Sequence, residues 1–202
     1  MKFQNVVLAA PGWETLSTQT EYENDHLAVA SVQVRSPAKP AGQRWTVVHR
    51  KAAVVIAAIT SDDKLLLIRE ERVAVQAALW SVPAGQIDDD HAPGPAKIEA
   101  VARRELREET GYELAPGGEL VSLGDFFTSP GFTDERCHFC LARPVQPGAD
   151  GAAPTESESI LDCRAFPAEE LAAMIARNEI RDANTLSLCA KLSALGYLSL
   201  GK

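Results

Sequence analysis

Long apolar runs are missing from these 202 residues: no segment approaches the roughly 18 unbroken hydrophobic positions that a membrane-spanning helix needs. The N-terminus, MKFQNVVLAAPGWETL, has neither the charged start nor the extended apolar stretch of a secretory signal, so a cytoplasmic protein without a membrane partner is expected. Basic runs are absent too. Twenty Lys and Arg face 28 Asp and Glu, a net charge of −8, which argues against nucleic acid as a partner. An anionic ligand would then need something other than net charge to hold it, and a divalent cation is the usual solution. Cysteine is scarce, at positions 137, 140, 163 and 189 only. Cys137 and Cys140 form a CxxC, but the run CHFCLA reads as a strand, in which residues three apart point to opposite faces. With no second CxxC or His pair nearby, reduced structural thiols are expected and not a zinc site.

What is present is enough for a packed core. Hydrophobic residues make up 46% of the chain, and the length suits one domain, or one domain with a small appendage. HLAVASVQVR (26–35) alternates like a strand and runs into SPAKPAG, which reads as a loop before a second strand from Trp45. KAAVVIAAI (51–59) is continuously apolar, as expected of a strand covered on both faces, and SDDK turns it into KLLLIRE. Beyond LWSVPAG and the polar loop QIDDDHAPGPA, the pattern becomes helical from Lys97. Strand-like runs return at ELVSLGDFF, RCHFCLARPV and SILDCRAF. Two helices close the chain: PAEELAAMIARN, with Pro167 in the first turn, and NTLSLCAKLSALG, with Asn184 as cap and Gly196 as stop. No internal repeat is visible. Strands with one helix among them and two at the end predict a mixed sheet between helices.

The helix over 97–110 carries the chemistry. On a helical wheel Ile98, Val101, Ala102 and Leu106 fall on one side, which defines the buried arc. Glu105 and Glu109 fall inside that arc, and Glu108 lies on its edge. Glu99, Arg103 and Arg107 face solvent. Carboxylates at i and i+4 repel, burial costs each of them several kcal/mol, and the helix C-terminus disfavours negative charge. One compensating charge answers all three penalties. Oxygen ligands on one face suit Mg²⁺, which keeps some waters and commonly bridges to phosphates. The bland alternative is a solvated acidic face balanced by Arg103, Arg104 and Arg107. Gly111 should end the helix in a left-handed cap.

Arg104-Glu105-Leu106-x-Glu108-Glu109-x-Gly111, preceded by Gly85, resembles the Nudix box, the signature of hydrolases that cleave a nucleoside diphosphate linked to another moiety. Gly85 and Arg104 are 19 positions apart, about five more than the box has, and Ala96 and Tyr112 stand where it carries Glu and an aliphatic residue. GWETLSTQTEY, GQRWTVVHR, LLLIREERV, LWSVPAGQID and FFTSPGFTDE extend the likeness, in order, to the ADP-ribose pyrophosphatase branch over nearly the whole chain.

That resemblance implies an α/β (α+β) fold: a Nudix α/β/α sandwich with a mixed sheet over residues 51–202, and a small N-terminal antiparallel β-domain over 1–50 that binds the base and is exchanged across a homodimer. It implies Mg²⁺, or Mn²⁺ in its place, held by Glu105, Glu109 and the carbonyl of Ala84, with Glu108 close by and Arg104 orienting the cluster by ion pairing. The general base would come from the loop GAAPTESESI, with Glu156 first and Glu158 as base or further metal contact. Trp13 and Trp45 would sandwich the adenine. Arg50 and Arg72 would contact base or phosphates, Gln86 would lie along the substrate, and Ser129, Pro130, Gly131 and Glu135 would touch the terminal ribose. Trp80 is assigned to packing. The implied activity is hydrolysis of ADP-ribose to AMP and ribose 5-phosphate. The alternatives are another nucleotide sugar such as GDP-mannose, or a sensor that binds ADP-ribose without cleaving it. A sensor usually has a broken box and an added DNA-binding domain, and neither is seen here.

Overall fold

A computed structural model describes residues 12–88, 93–149, 151–153 and 158–201. Its first three strands, β1 (Glu14–Glu23), β2 (Leu27–Ser36) and β3 (Lys39–Arg50), form a separate antiparallel sheet in the order β1-β2-β3. All of β1 is exposed, whereas β2 buries Ala30 and Val32. SPAKPAG is shorter as a loop than its composition suggests. Ser36 already pairs with Lys39, and Pro40 and Gly42 lie inside β3, on the sheet edge that no other described strand covers.

The main sheet contains β4 (Ala53–Thr60), β5 (Leu65–Arg72), β6 (Ala77–Ser81), β7 (Ala84–Gln86), β8 (Tyr112–Phe127), β9 (Arg136–Pro147) and β10 (Ile160–Phe166). Its order is β10-β5-β4-β9-β8, with β6 on β5 and β7 on β4. Only the β4–β9 pairing is parallel, so the sheet is mixed. Strand alternation divides its side chains between two cores. Val55, Ala57, Ile59, Leu65, Leu67, Phe139 and Leu141 face α2 (Ala168–Ala176) and α3 (Ala183–Ala194), through Leu171, Met174, Leu188 and Leu192. Val54, Ile56, Ala58 and Leu66 face α1 (Pro95–Thr110), through Ala102 and Leu106. The continuous apolar run of β4 is therefore a strand covered on both sides, and the sheet is sandwiched between one helix and two.

The CxxC spans this division: Cys137 belongs to the α2/α3 core and Cys140 to the α1 core, and all four cysteines are free. Burial pushes the thiols of Cys137 and Cys140 up to about 12. Trp80 packs edge-on against Phe166, with ring centroids 5.1 Å apart. Two further details differ from the sequence reading. β8 begins at Tyr112, because Ala115–Gly118 is taken up as an irregularity between the Leu114–Val145 and Glu119–Arg143 pairs. Asp182, not Asn184, caps α3, accepting from the Thr185 amide at 2.8 Å.

Candidate metal centre and substrate cleft

α1 ends at Gly111, whose φ of 72° makes the left-handed cap. Upstream of it the helical wheel is reproduced. Ala102, Glu105, Leu106, Glu109 and Thr110 are buried, Glu108 is half-buried, and Arg103 and Arg107 are exposed. Arg103 pairs with Glu99 on the solvent side at 2.8 Å. Glu105 and Glu109 retain 4% and 3% of their surface, so the acidic run is not a solvated face.

Each buried carboxylate is fixed by a different part of the chain. Arg104 forks between Glu105 Oε1 at 2.6 Å and Glu108 Oε2 at 2.8 Å. The Ala84 amide, at the start of β7, donates to Glu109 Oε2 at 2.8 Å. Gly85 follows, and a β-carbon there would fall 2.0 Å from Cδ of Glu105, so the carboxylate occupies the space that a side chain would fill. Glu158, just before β10, completes the group. One carboxylate oxygen from each of Glu105, Glu109 and Glu158 lies within 4.8 Å of the others.

Burial dominates the electrostatics. It raises Glu105 to about 7, opposed by Arg104 and reinforced by Glu108 and Glu158. It raises Glu109 to about 8, opposed by the Ala84 amide and reinforced by Glu105, Glu158 and Glu70. Without a cation these groups hold protons that ordinary carboxyl groups have lost. Three converging oxygen donors in a desolvated corner fit a hard divalent ion such as Mg²⁺ or Mn²⁺, and the set contains no nitrogen or sulfur donor that would favour zinc.

Glu70 is a residue that the sequence reading missed. It is 7% exposed on β5, and burial raises its pKa against the opposing charge of Arg72. Arg72 grips it with both terminal nitrogens, at 2.8 and 3.0 Å. Period-two counting from Leu66 would have put Glu70 on the α1 face, but REER at a strand end looks like ordinary surface charge.

Trp45, Arg50 and Glu135 gather with Ser129 and Gly131 around the loop between β8 and β9. Trp45 Nε1 donates to the Gly131 carbonyl at 3.1 Å, and the Val48 amide donates to the Phe132 carbonyl at 2.8 Å. Asp134, also not anticipated, accepts from the Arg50 amide at 3.1 Å and lies 2.6 Å from His49 Nδ1. Arg50 Nε approaches Glu135 to 3.2 Å, and Thr128 donates to the same carboxylate at 2.7 Å. Arg50, Ser129 and Glu135 line a cleft of about 390 Å³ that Asp182 and Asn184 also border. Pro130 lies in the same loop, and Gln86 ends β7 two residues beyond Ala84. Trp13 and Trp45 are 60% and 48% exposed but are not brought together. Glu156 lies outside the described residues.

A family model described as NUDIX domain matches residues 48–189, from the end of β3 into α3. The chain belongs to the Nudix family. Among relatives of this Nudix chain, an ADP-ribose pyrophosphatase of Mycobacterium tuberculosis is 30% identical over 186 residues, covering 92% of this chain and 84% of that protein. A methanol dehydrogenase activator of Bacillus methanolicus is 30% identical over 160 residues, covering 78% and 82%. A GDP-mannose pyrophosphatase of Citrobacter koseri is 34% identical over 133 residues, covering 61% and 63%. The crystal structure of an ADP compounds hydrolase superposes with a TM-score of 0.71 at 20% identity, covering 95% of this chain and all of that one, and so shares the fold. Among the described residues no helix is long and apolar enough to cross a membrane.

Proposed function

We propose that the chain hydrolyses the pyrophosphate bond of ADP-ribose, or of a closely similar nucleoside diphosphate sugar, in a Mg²⁺-dependent reaction that yields AMP and ribose 5-phosphate. The observation that carries this reading is the convergence of buried Glu105 and Glu109 with half-buried Glu158 in a chain whose relatives include ADP-ribose and GDP-mannose pyrophosphatases.

Glu105, Glu109, Glu158 and the Ala84 carbonyl would hold the cation. When bound, it neutralises charge developing on the phosphoryl oxygens and polarises the attacking water. The protein's own groups do the rest. Arg104 keeps Glu105 and Glu108 in place, and the Ala84 amide fixes the carboxylate of Glu109. Arg72 and Arg50 would contact the base or the phosphates, Arg72 exchanging its bidentate grip on Glu70 for a diphosphate. Glu156, with Glu158 beside it in sequence, would take the proton from water. Ser129, Pro130, Gly131 and Glu135 would contact the terminal ribose, and Gln86 would lie along the substrate.

The reading includes a cytoplasmic homodimer that exchanges its N-terminal β-domain, expected over residues 1–50, against the hydrolase domain, expected over 51–202. Val32 pairs with Thr18 on one side and with Trp45 on the other, and Trp13 lies five residues before Thr18. With the bulge between Thr15 and Ser17, Trp13 falls about four strand residues, roughly 13 Å, along the sheet from Trp45, beyond the ~7 Å across which two rings can grip one base. A purine sandwich by these two side chains therefore needs Trp13 from one copy and Trp45 from the other.

The test is purified protein with Mg²⁺ and a panel of nucleotide sugars, following release of AMP or GMP. ADP-ribose should be cleaved fastest. Preferential GMP release would move the substrate to GDP-mannose, and ADP-ribose binding without any cleavage would overturn the enzyme reading in favour of a sensor.

A further inference from the structure

The corner between β6 and β7, Val82 and Pro83, delivers Ala84 to the carboxylates, and every polar group that anchors it comes from elsewhere in the chain. Pro83 has no N–H to give, and its carbonyl accepts from Ile56 at 2.9 Å. The Val82 amide, on a residue 1% exposed, donates to Thr185 Oγ1 at 3.0 Å, a contact between positions 103 residues apart. The Ala84 amide then donates to Glu109.

Thr185 is fully buried, at 0% exposure, in the first turn of α3. Its hydroxyl carries one proton, and that proton is directed to Asp182 Oδ2 at 2.7 Å, so a lone pair is left to accept from Val82. The same Asp182 oxygen accepts from the Thr185 amide. Asp182 therefore sets both the start of α3 and the polarity of the hydroxyl. The chain of bonds runs Asp182, Thr185, Val82, and two residues later Ala84 to Glu109.

We infer that Thr185, oriented by Asp182, is a positioning residue for the cation site, locking the Val82–Ala84 corner so that Ala84 and Glu109 keep the geometry the ion requires. The inference rests on the cation reading of Glu105, Glu109 and Glu158. Groups bonded directly to the ligands commonly change metal affinity by about 10- to 100-fold when they are removed, and Thr185, which acts through the Val82–Ala84 backbone, falls at the low end of that range.

The probe is Mn²⁺ alone, without substrate, titrated by electron paramagnetic resonance at a temperature where circular dichroism shows each variant folded. Thr185→Val keeps the shape and removes the acceptor, and should weaken Mn²⁺ binding about tenfold. Thr185→Ser should restore it. Asp182→Ala, which also removes the cap of α3 and so lowers Tm, should weaken binding by a smaller factor. Leu188→Ala, elsewhere in the buried face of α3, should lower Tm and leave Mn²⁺ affinity unchanged. Unchanged affinity in Thr185→Val and Asp182→Ala, or an equal loss in Leu188→Ala, would overturn the positioning role. Glu109→Gln separates the two readings. If it binds Mn²⁺ like the parent, the cation site itself is wrong. If it alone binds weakly, only the role of Thr185 is lost.

Discussion

Glu105 lies against the α-carbon of Gly85 so closely that any β-carbon at position 85 would overlap its carboxyl group. Glu105 is buried and held by Arg104, so a shift of its carboxyl group breaks that pairing and moves it from its place beside Glu109. Gly85→Ala should therefore displace the carboxylate by about an ångström and lower turnover by ~100-fold. The accompanying loss of stability should be about 1–3 kcal/mol, as for other overpacked sites. Steady-state kinetics beside a denaturant titration check both. Full activity in a folded Gly85→Ala protein would show that Glu105 does not need its place over the glycine.

Glu109→Gln keeps the size of the side chain and its hydrogen bond from Ala84 but removes the ionisable oxygen. Turnover should fall roughly a thousandfold through loss of a cation ligand, with little change in fold. Rates measured across a Mg²⁺ series should show no rescue at high concentration. An enzyme that recovers near-parental turnover would remove Glu109 from the ligand set.

The raised carboxyl groups make stability depend on pH in an unusual direction. Unfolded glutamates titrate near 4.5, whereas Glu105 and Glu109 titrate near 7 and 8 in the folded, cation-free protein. Between those values the folded state binds more protons than the unfolded one, so stability falls as pH rises. Their contribution is fully present below about pH 4.5 and is lost as pH passes through about 7 and 8. Thermal unfolding in chelator should thus give a lower Tm at pH ~8.5 than at pH ~6, and Mg²⁺ should reverse the order by binding the ionised groups. The double variant Glu105→Gln with Glu109→Gln should lose this slope. A chelated parent that gains stability over the same range would contradict the desolvation account.

Trp13 and Trp45 allow a complementation test of the homodimer. Trp13→Ala and Trp45→Ala should each raise KM about tenfold by removing one stacking face. If every site takes Trp13 from one copy and Trp45 from the other, an equal mixture contains half heterodimers, each with one intact site. About a quarter of all sites are then restored. Activity at low substrate, followed after dissociating and reassociating the mixture, should show that recovery. Mixing that restores nothing would place both aromatics on one protomer or away from the base.

The parts of the molecule governed by local periodicity could be read in advance. β4 announced its double burial by an unbroken apolar run, and α1 divided its glutamates correctly because the helical period leaves little freedom. What escaped depends on partners distant in sequence. AALWSVPAG is too short and irregular to declare two strands; it becomes β6 and β7 only by pairing with β5 and β4. Lys39–Arg44 reads as a turn because of Pro40 and Gly42, yet β2 draws it into a strand. Asn184 was the reasonable cap by residue type, but Asp182 wins because its carboxylate serves both the amide and the hydroxyl of Thr185. Glu70 was hidden for a related reason: its burial is imposed by the packed sheet and not by its neighbours in REER.

The two thiols of the CxxC are insulated from each other by the sheet they help to build. One is embedded under α2 and α3, the other under α1, and the strand between them cannot twist through half a turn without dismantling both cores. Oxidants therefore have no route to a bridge between Cys137 and Cys140 in the folded protein, and their spacing is no guide to the redox character of its surroundings.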